Sequence, residues 1–121
     1  GYIWFTEGEV DPEHNKAGRR FKGIGMTLGP GMCYLFKAFV APPYRGQALM
    51  GRLIHDAGLA LSRHGFDEIV TTTGLENEAF QRSAGRVGFE PTGVAVELAL
   101  FGKHFFLLPR LDARVEMQPG R

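Results

Sequence analysis

In the run Val40-Ala41-Pro42-Pro43-Tyr44-Arg45-Gly46-Gln47-Ala48-Leu49-Met50, an apolar segment passes through two prolines and an arginine–glycine pair into an amphipathic one. Proline cannot donate to a sheet ladder, so Pro42 and Pro43 end a strand. Gly46 lets the backbone approach a ligand closely. A helix opening here presents unpaired backbone N–H groups and a partial positive charge, which together can hold a pyrophosphate. Arg45, Gly46, Gln47, Ala48, Leu49, Met50 and Gly51 are therefore the candidate anion-binding residues. An ordinary strand–turn–helix with no ligand is the plainer reading of the same residues.

Other side chains with chemistry are scattered. His14, His55, His64 and His104 have no metal-ligand spacing, so no metal is expected, and they read as surface or cap residues. Cys33 is the single cysteine. It excludes an internal disulfide, which suits a reducing cytoplasm. No histidine stands at a recognisable partner spacing, so Cys33 reads as a small core residue and not as a nucleophile. The apolar segment Met32–Val40 holds no carboxylate. Glu7 and Glu97 lie on other strand-like segments and are the candidate bases, each read more readily as a solvated strand residue. Tyr34 is a further candidate, and otherwise a sheet aromatic. Lys37 reads as a surface lysine.

The elements that must position these groups follow from periodicity. Tyr2–Glu7 is rich in strand formers. Gly8–Gly18 is a polar loop with Asp11-Pro12 and His14-Asn15. Arg19–Leu28 alternates apolar and polar residues, slipping once near Gly23, where a bulge is expected. Gly29-Pro30-Gly31 is a turn. Met32–Val40 is a mostly apolar strand. These three strands are expected to form an antiparallel meander. A helix follows from about Gly46 to His64, with Leu49, Leu53, Ala57, Ala60 and Leu61 on one face and Gly65 just past its end. Glu68–Thr73 is a strand parallel to the one before the helix, which makes a right-handed βαβ unit. Asn77–Val87 is a second helix with Asn77 as its N-cap and Gly88 after its end. Gly93–Phe101 and His104–Leu108 form a hairpin. Residues 110–121 read as a polar, frayed tail beyond a domain spanning 1–109.

The 121 residues make one domain, and their 44% hydrophobic content supplies a core. A net charge of +1 with 22% charged residues gives no footprint for nucleic acid or a membrane surface. No apolar run is long enough to span a bilayer.

The order β-β-β-α-β-α-β-β, with the loop above, resembles the GNAT superfamily of N-acetyltransferases. Val40, Pro42, Arg45 and Gly46 match that family's V-x-P-x-x-R-G crossing. Its pyrophosphate loop reads R/Q-x-x-G-x-G/A. Arg45 fits it, while Ala48 replaces the first glycine and Met50 the small final residue. A second motif, Asn77 with the terminal Gly88-Phe89, stands at the family spacing. The resemblance runs from Tyr2 to about Phe106, and the family's first strand and first two helices have no counterpart. The chain is either the C-terminal part of a longer protein or a shortened variant.

The resemblance implies an α/β (α+β) domain with a mixed sheet. It implies acetyl-CoA as acyl donor and an amine, small molecule or peptide, as acceptor. The pyrophosphate would lie on the loop, Asn77 would contact the pantetheine arm, and a strand N–H near Phe39 and Val40 would point at the thioester oxygen. The family's tyrosine acid is replaced by Ala84. Ser83 is adjacent but about 100° around the helix, and reads more readily as a packing residue. A water path would then deprotonate the amine. The same departures also suit a non-catalytic acyl-CoA-binding or regulatory module, or a domain that has lost CoA. With no strand before it, Tyr2-Ile3-Trp4-Phe5 would be a bare apolar edge. Upstream residues or a second copy are expected to cover it.

Overall fold

β-Formers and turn residues divide the chain as the periodicity indicates, with two strands beyond the expected eight elements. The computed structural model describes residues 1–16, 19–111 and 114–120. The elements are β1 (Tyr2–Thr6), β2 (Glu9–Val10), β3 (Ile24–Leu28), β4 (Met32–Phe39), α1 (Leu49–Ser62), β5 (Glu68–Thr71), α2 (Glu78–Arg86), β6 (Val96–Leu100), β7 (Lys103–Leu107) and β8 (Val115–Pro119). Short 3-10 turns lie at Pro12–Asn15 and Pro42–Tyr44. The fold is mixed α and β. No helix among the described residues is long and apolar enough to cross a membrane.

The chain forms two compact units, each assembled from separate stretches. The first comprises Gly1–Thr6 and Gly31–Glu90. Its three-stranded sheet has the order β1-β4-β5, with β1 antiparallel and β5 parallel to the central β4. β4 is the central strand of this sheet, and its Met32, Cys33, Tyr34 and Leu35 are almost wholly inaccessible. Burying each of the larger of these side chains contributes roughly 1.5–3 kcal/mol. Helix α1 provides the crossover. Its inward face carries Leu49, Leu53, Ala57 and Leu61, as the spacing requires, but Ala60 is exposed and Ile54 is the most buried residue. Gly65, at φ +89°, turns the chain after α1, and Gly88, at φ +101°, after α2. β1 is an edge strand with Tyr2 and Trp4 exposed and Ile3 and Phe5 half-buried.

The second unit comprises Glu7–Pro30 and residues 91–121. Its sheet has the order β2-β3-β8, and β6 and β7 form a separate hairpin. Val10, Ile24, Met26 and Leu28 are its buried apolar residues.

Three expectations are corrected. The antiparallel meander does not form: β1 pairs directly with β4, and β3 pairs with β2 and β8. Residues 110–121 are not a frayed tail, because Val115–Pro119 pairs with β3 from Leu28↔Val115 to Ile24↔Pro119. The bulge lies in β4 and not near Gly23. Gly23, at φ +79°, instead turns the chain just before β3. Ala17 and Gly18 of the expected loop, and Asp112, Ala113 and Arg121 of the expected tail, lie outside the described residues.

Candidate functional site

The parallel ladder of β4 with β5 runs from Met32↔Glu68 to Leu35↔Thr71 and stops. β4 continues to Phe39, still paired on its other edge to β1 through Trp4↔Phe36 and Tyr2↔Phe39. At the last parallel rung the Thr71 hydroxyl donates to Leu35 O at 3.1 Å, so a side chain caps the ladder. Beyond it, among the described residues, one backbone edge of β4 has no strand beside it. An open edge is a template for any extended chain of amides.

A hollow of about 160 Å³ lies where the strands part, lined by Leu35, Ala38, Thr71, Thr72, Thr73, Asn77 and Phe80. Residues three apart on a regular strand point to opposite faces. Leu35 and Ala38 nevertheless share the hollow, and the reason is a bulge. Lys37 adopts φ +51°, and the β1–β4 register slips between Tyr2 and Trp4. The extra residue re-aims the second half of β4, as bulges do. Nothing in the sequence signals it, since lysine has no preference for that conformation.

The turn after β4 is built tightly. Tyr44 N donates to Ala41 O at 2.9 Å and Arg45 N to Pro42 O at 3.2 Å. The Arg45 side chain folds back, donating from Nε to Val40 O at 2.9 Å, with its guanidinium 5.7 Å from the Phe39 ring centroid. Gly46 (φ +80°) and Ala48 (φ +57°) are both left-handed, so α1 starts at Leu49 and not at Gly46 as expected. The first intrahelical bond runs from Arg52 N to Ala48 O, and among the described residues no side chain caps the helix. The N–H groups of Leu49, Met50 and Gly51 therefore have no acceptor within the helix. Gly46, Gln47 and Ala48 are exposed before them.

Ala48 occupies the position where the GNAT loop has its first glycine. Its left-handed conformation supplies the physical reason for glycine there, because a Cβ is disfavoured in that region. Ala48→Gly is expected to stabilise the chain by about 0.5–1 kcal/mol in urea unfolding. An unchanged midpoint would show that Ala48 is not held left-handed.

Asn77 caps α2, its Oδ1 accepting from Phe80 N at 3.2 Å. That leaves the amide NH₂ as the group able to donate toward the hollow it lines. Gln81 was not foreseen: its Nε2 donates to Gly74 O at 3.1 Å and Leu75 O at 3.0 Å, fixing the loop that carries Asn77.

The candidate bases and acids fare differently. The Tyr34 hydroxyl is 2.5 Å from Thr72 Oγ1, beside the hollow. Burial pushes the Tyr34 pKa up and the Thr72 bond only partly offsets this, so the phenol keeps its proton at neutral pH. Ser83 is half-buried and Ala84 buried, and neither lines the hollow. Glu7 is exposed and belongs to the second unit, as does Glu97. Glu97 accepts from Lys22 N at 2.8 Å, Gly23 N at 2.9 Å and His104 Nδ1 at 2.8 Å. Its side chain is only 8% exposed. Burial raises its pKa, but the bonds from Lys22, His104 and Gly23 outweigh this and hold the carboxyl below the usual range. His104, expected at the surface, is thus half-buried and paired. Among the described residues no group of three His, Cys, Asp or Glu could hold a metal ion.

Among solved structures, the chain superposes on a protein of Bacillus subtilis named "Putative Acetyltransferase (YycN)" with a TM-score of 0.52. The match covers 64% of this chain and 52% of that one, at 16% identity. The fold is GNAT-like. This chain spans about half the length of that structure. No protein-family model matches the chain. No curated protein matches it either. In GNAT-like terms, the splayed β4–β5 pair and the loop before α1 lie within the first unit, together with Phe39, Val40, Arg45 and Asn77.

Proposed function

We propose that the chain binds acyl-CoA, in the simplest case acetyl-CoA, and transfers the acyl group directly to an amine. The observation that carries this is the open edge of β4 past Leu35, leading straight into an uncapped helix N-terminus. The edge suits the two amides of a pantetheine arm. The N–H groups from Gly46 to Gly51 suit a pyrophosphate. A β4 N–H near Phe39 and Val40 would polarise the thioester carbonyl. The neutral amine attacks the carbonyl carbon to form the C–N bond, the C–S bond breaks, and the amine's surplus proton passes through water to the leaving thiolate. Phe36, Phe39 and Phe80 suit a hydrophobic or aromatic amine. The exposed Tyr2 and Trp4 of β1 would be covered by a further segment or partner that completes the acceptor pocket.

A second reading is an acyl-CoA-binding module without turnover. It is favoured by the lining of the hollow, which contains no titratable side chain. Calorimetry with CoA and thiol release from acetyl-CoA over a panel of amines separate the two. Binding with turnover supports the transferase, binding alone supports the module, and no binding removes both. Asn77→Ala is expected to weaken CoA binding and to cost about 1 kcal/mol of stability through the lost cap. If the melting temperature falls and the affinity does not, Asn77 is a cap alone.

A further inference from the structure

The β6–β7 hairpin has two unlike faces. Cross-strand pairs place Glu97, Ala99, His104 and Phe106 on one face, and all are half-buried. Val96, Leu98, Leu100, Phe105 and Leu107 share the other. Leu98, Leu100, Phe105 and Leu107 are between 49% and 69% exposed. At the tip, Phe101 (φ +51°) and Gly102 (φ +75°) form a two-residue turn with both φ positive, and Phe101 is fully exposed. That turn favours Asn or Gly in its first position. A phenylalanine there is costly in backbone conformation and in hydration for as long as the hairpin stands alone.

We infer that this face pairs with the same face of a second copy of the chain about a two-fold axis. The area fits. These side chains expose on the order of 600 Å² of apolar surface, at the upper end for a lone monomer. Two copies would bury about twice that, within the range of specific interfaces. The backbone fits as well. The hairpin is a two-stranded sheet, so both its edges lack a neighbouring strand among the described residues. Two strands alone are marginally stable, and a partner strand or packed face is what they need. The charge is also right. Lys103 is the only charged side chain on the face and lies at the turn end, opposite Leu100. In an antiparallel pair of hairpins the two lysines lie at opposite ends, in water. A lipid surface would suit the leucines, but it would strip water from the open edges without supplying hydrogen-bond partners. This inference is independent of the CoA reading.

Light scattering and sedimentation velocity over a concentration series test it. The wild-type chain is expected to dimerise, and Phe105→Glu to raise the dissociation constant at least about 100-fold with an unchanged circular dichroism spectrum. Phe105 is half exposed in the single chain, so its replacement leaves the fold standing. Phe101→Asn is expected to weaken the dimer without lowering the monomer's melting temperature. A wild-type monomer at concentrations on the order of 100 μM would overturn the proposal. So would a dimer that survives Phe105→Glu, or one that Trp4→Glu dissociates instead. Co-sedimentation of a monomeric chain with phosphatidylcholine–phosphatidylglycerol vesicles would overturn it in favour of a membrane.

Discussion

Gly46→Pro is expected to abolish CoA binding while both helices remain. Gly46 has φ +80°, and proline is confined to φ near −65°. The loop can accept proline only by abandoning the conformation that aims its N–H groups, and the substitution deletes one of those groups. The residue before it raises no obstacle. Arg45 already has φ −73° and ψ 156°, which the position before a proline favours. Nor does bulk: a Cβ at Gly46 would meet no atom within 4 Å. Loss of affinity by at least about 100-fold, roughly 2.7 kcal/mol, is the expected calorimetric result. Gly46→Ala keeps the N–H and costs about 1 kcal/mol of conformational strain, so it should retain measurable binding. Unchanged affinity in Gly46→Pro, with native circular dichroism, would remove the loop from the site.

Glu97→Ala is expected to be the most destabilising of these substitutions and to leave CoA binding by the remaining folded protein unchanged. One carboxylate satisfies two consecutive backbone N–H groups and the His104 ring. Removing it leaves those donors to partial solvation, at a cost of about 2–3 kcal/mol. Glu97→Gln keeps an acceptor and should cost less. The pH dependence has a definite sign. Because folding lowers the Glu97 pKa, the carboxylate contributes stability that is fully present above the unfolded-state value. That contribution is lost as the pH falls through the lowered folded value. Urea midpoints of the native chain should therefore owe no pH dependence to Glu97 around neutrality and fall in acid. The Glu97→Gln variant should lack that acid-dependent part. If activity vanishes in Glu97→Gln while stability holds, Glu97 is a base and not a clamp.

What was legible in the sequence was local. The helical face of Leu49, Leu53, Ala57 and Leu61, the cap at Asn77 and the glycines at 65 and 88 each announce themselves within a turn or two of chain. The apolar run of β4 announces a strand covered on both faces. Pairing between distant segments was not legible. Val115-Glu116-Met117-Gln118-Pro119 alternates, but its polar composition and a proline hid a strand that only β3 makes necessary. The site divides the same way. The loop residues were found by type and spacing. The bulge at Lys37, which brings Ala38 to the hollow, is imposed by tertiary structure on a residue with no inclination toward it. His104 looked solitary because its partner Glu97 stands diagonally across the hairpin, two pairs from His104's own rung.

The pairing of β3 with β8 also sets a schedule for synthesis. β3 carries Ile24, Met26 and Leu28, all buried in the folded protein, and its ladder from Ile24↔Pro119 to Leu28↔Val115 joins segments 87 to 95 residues apart. At about 5–20 residues per second, β3 leaves the ribosome roughly five to twenty seconds before β8 exists. Through that interval one edge of an apolar strand is without its mate, while the βαβ portion between them can already close over short distances. The nascent chain is therefore most prone to aggregation before Val115–Pro119 is made, and premature termination near residue 110 should yield insoluble product.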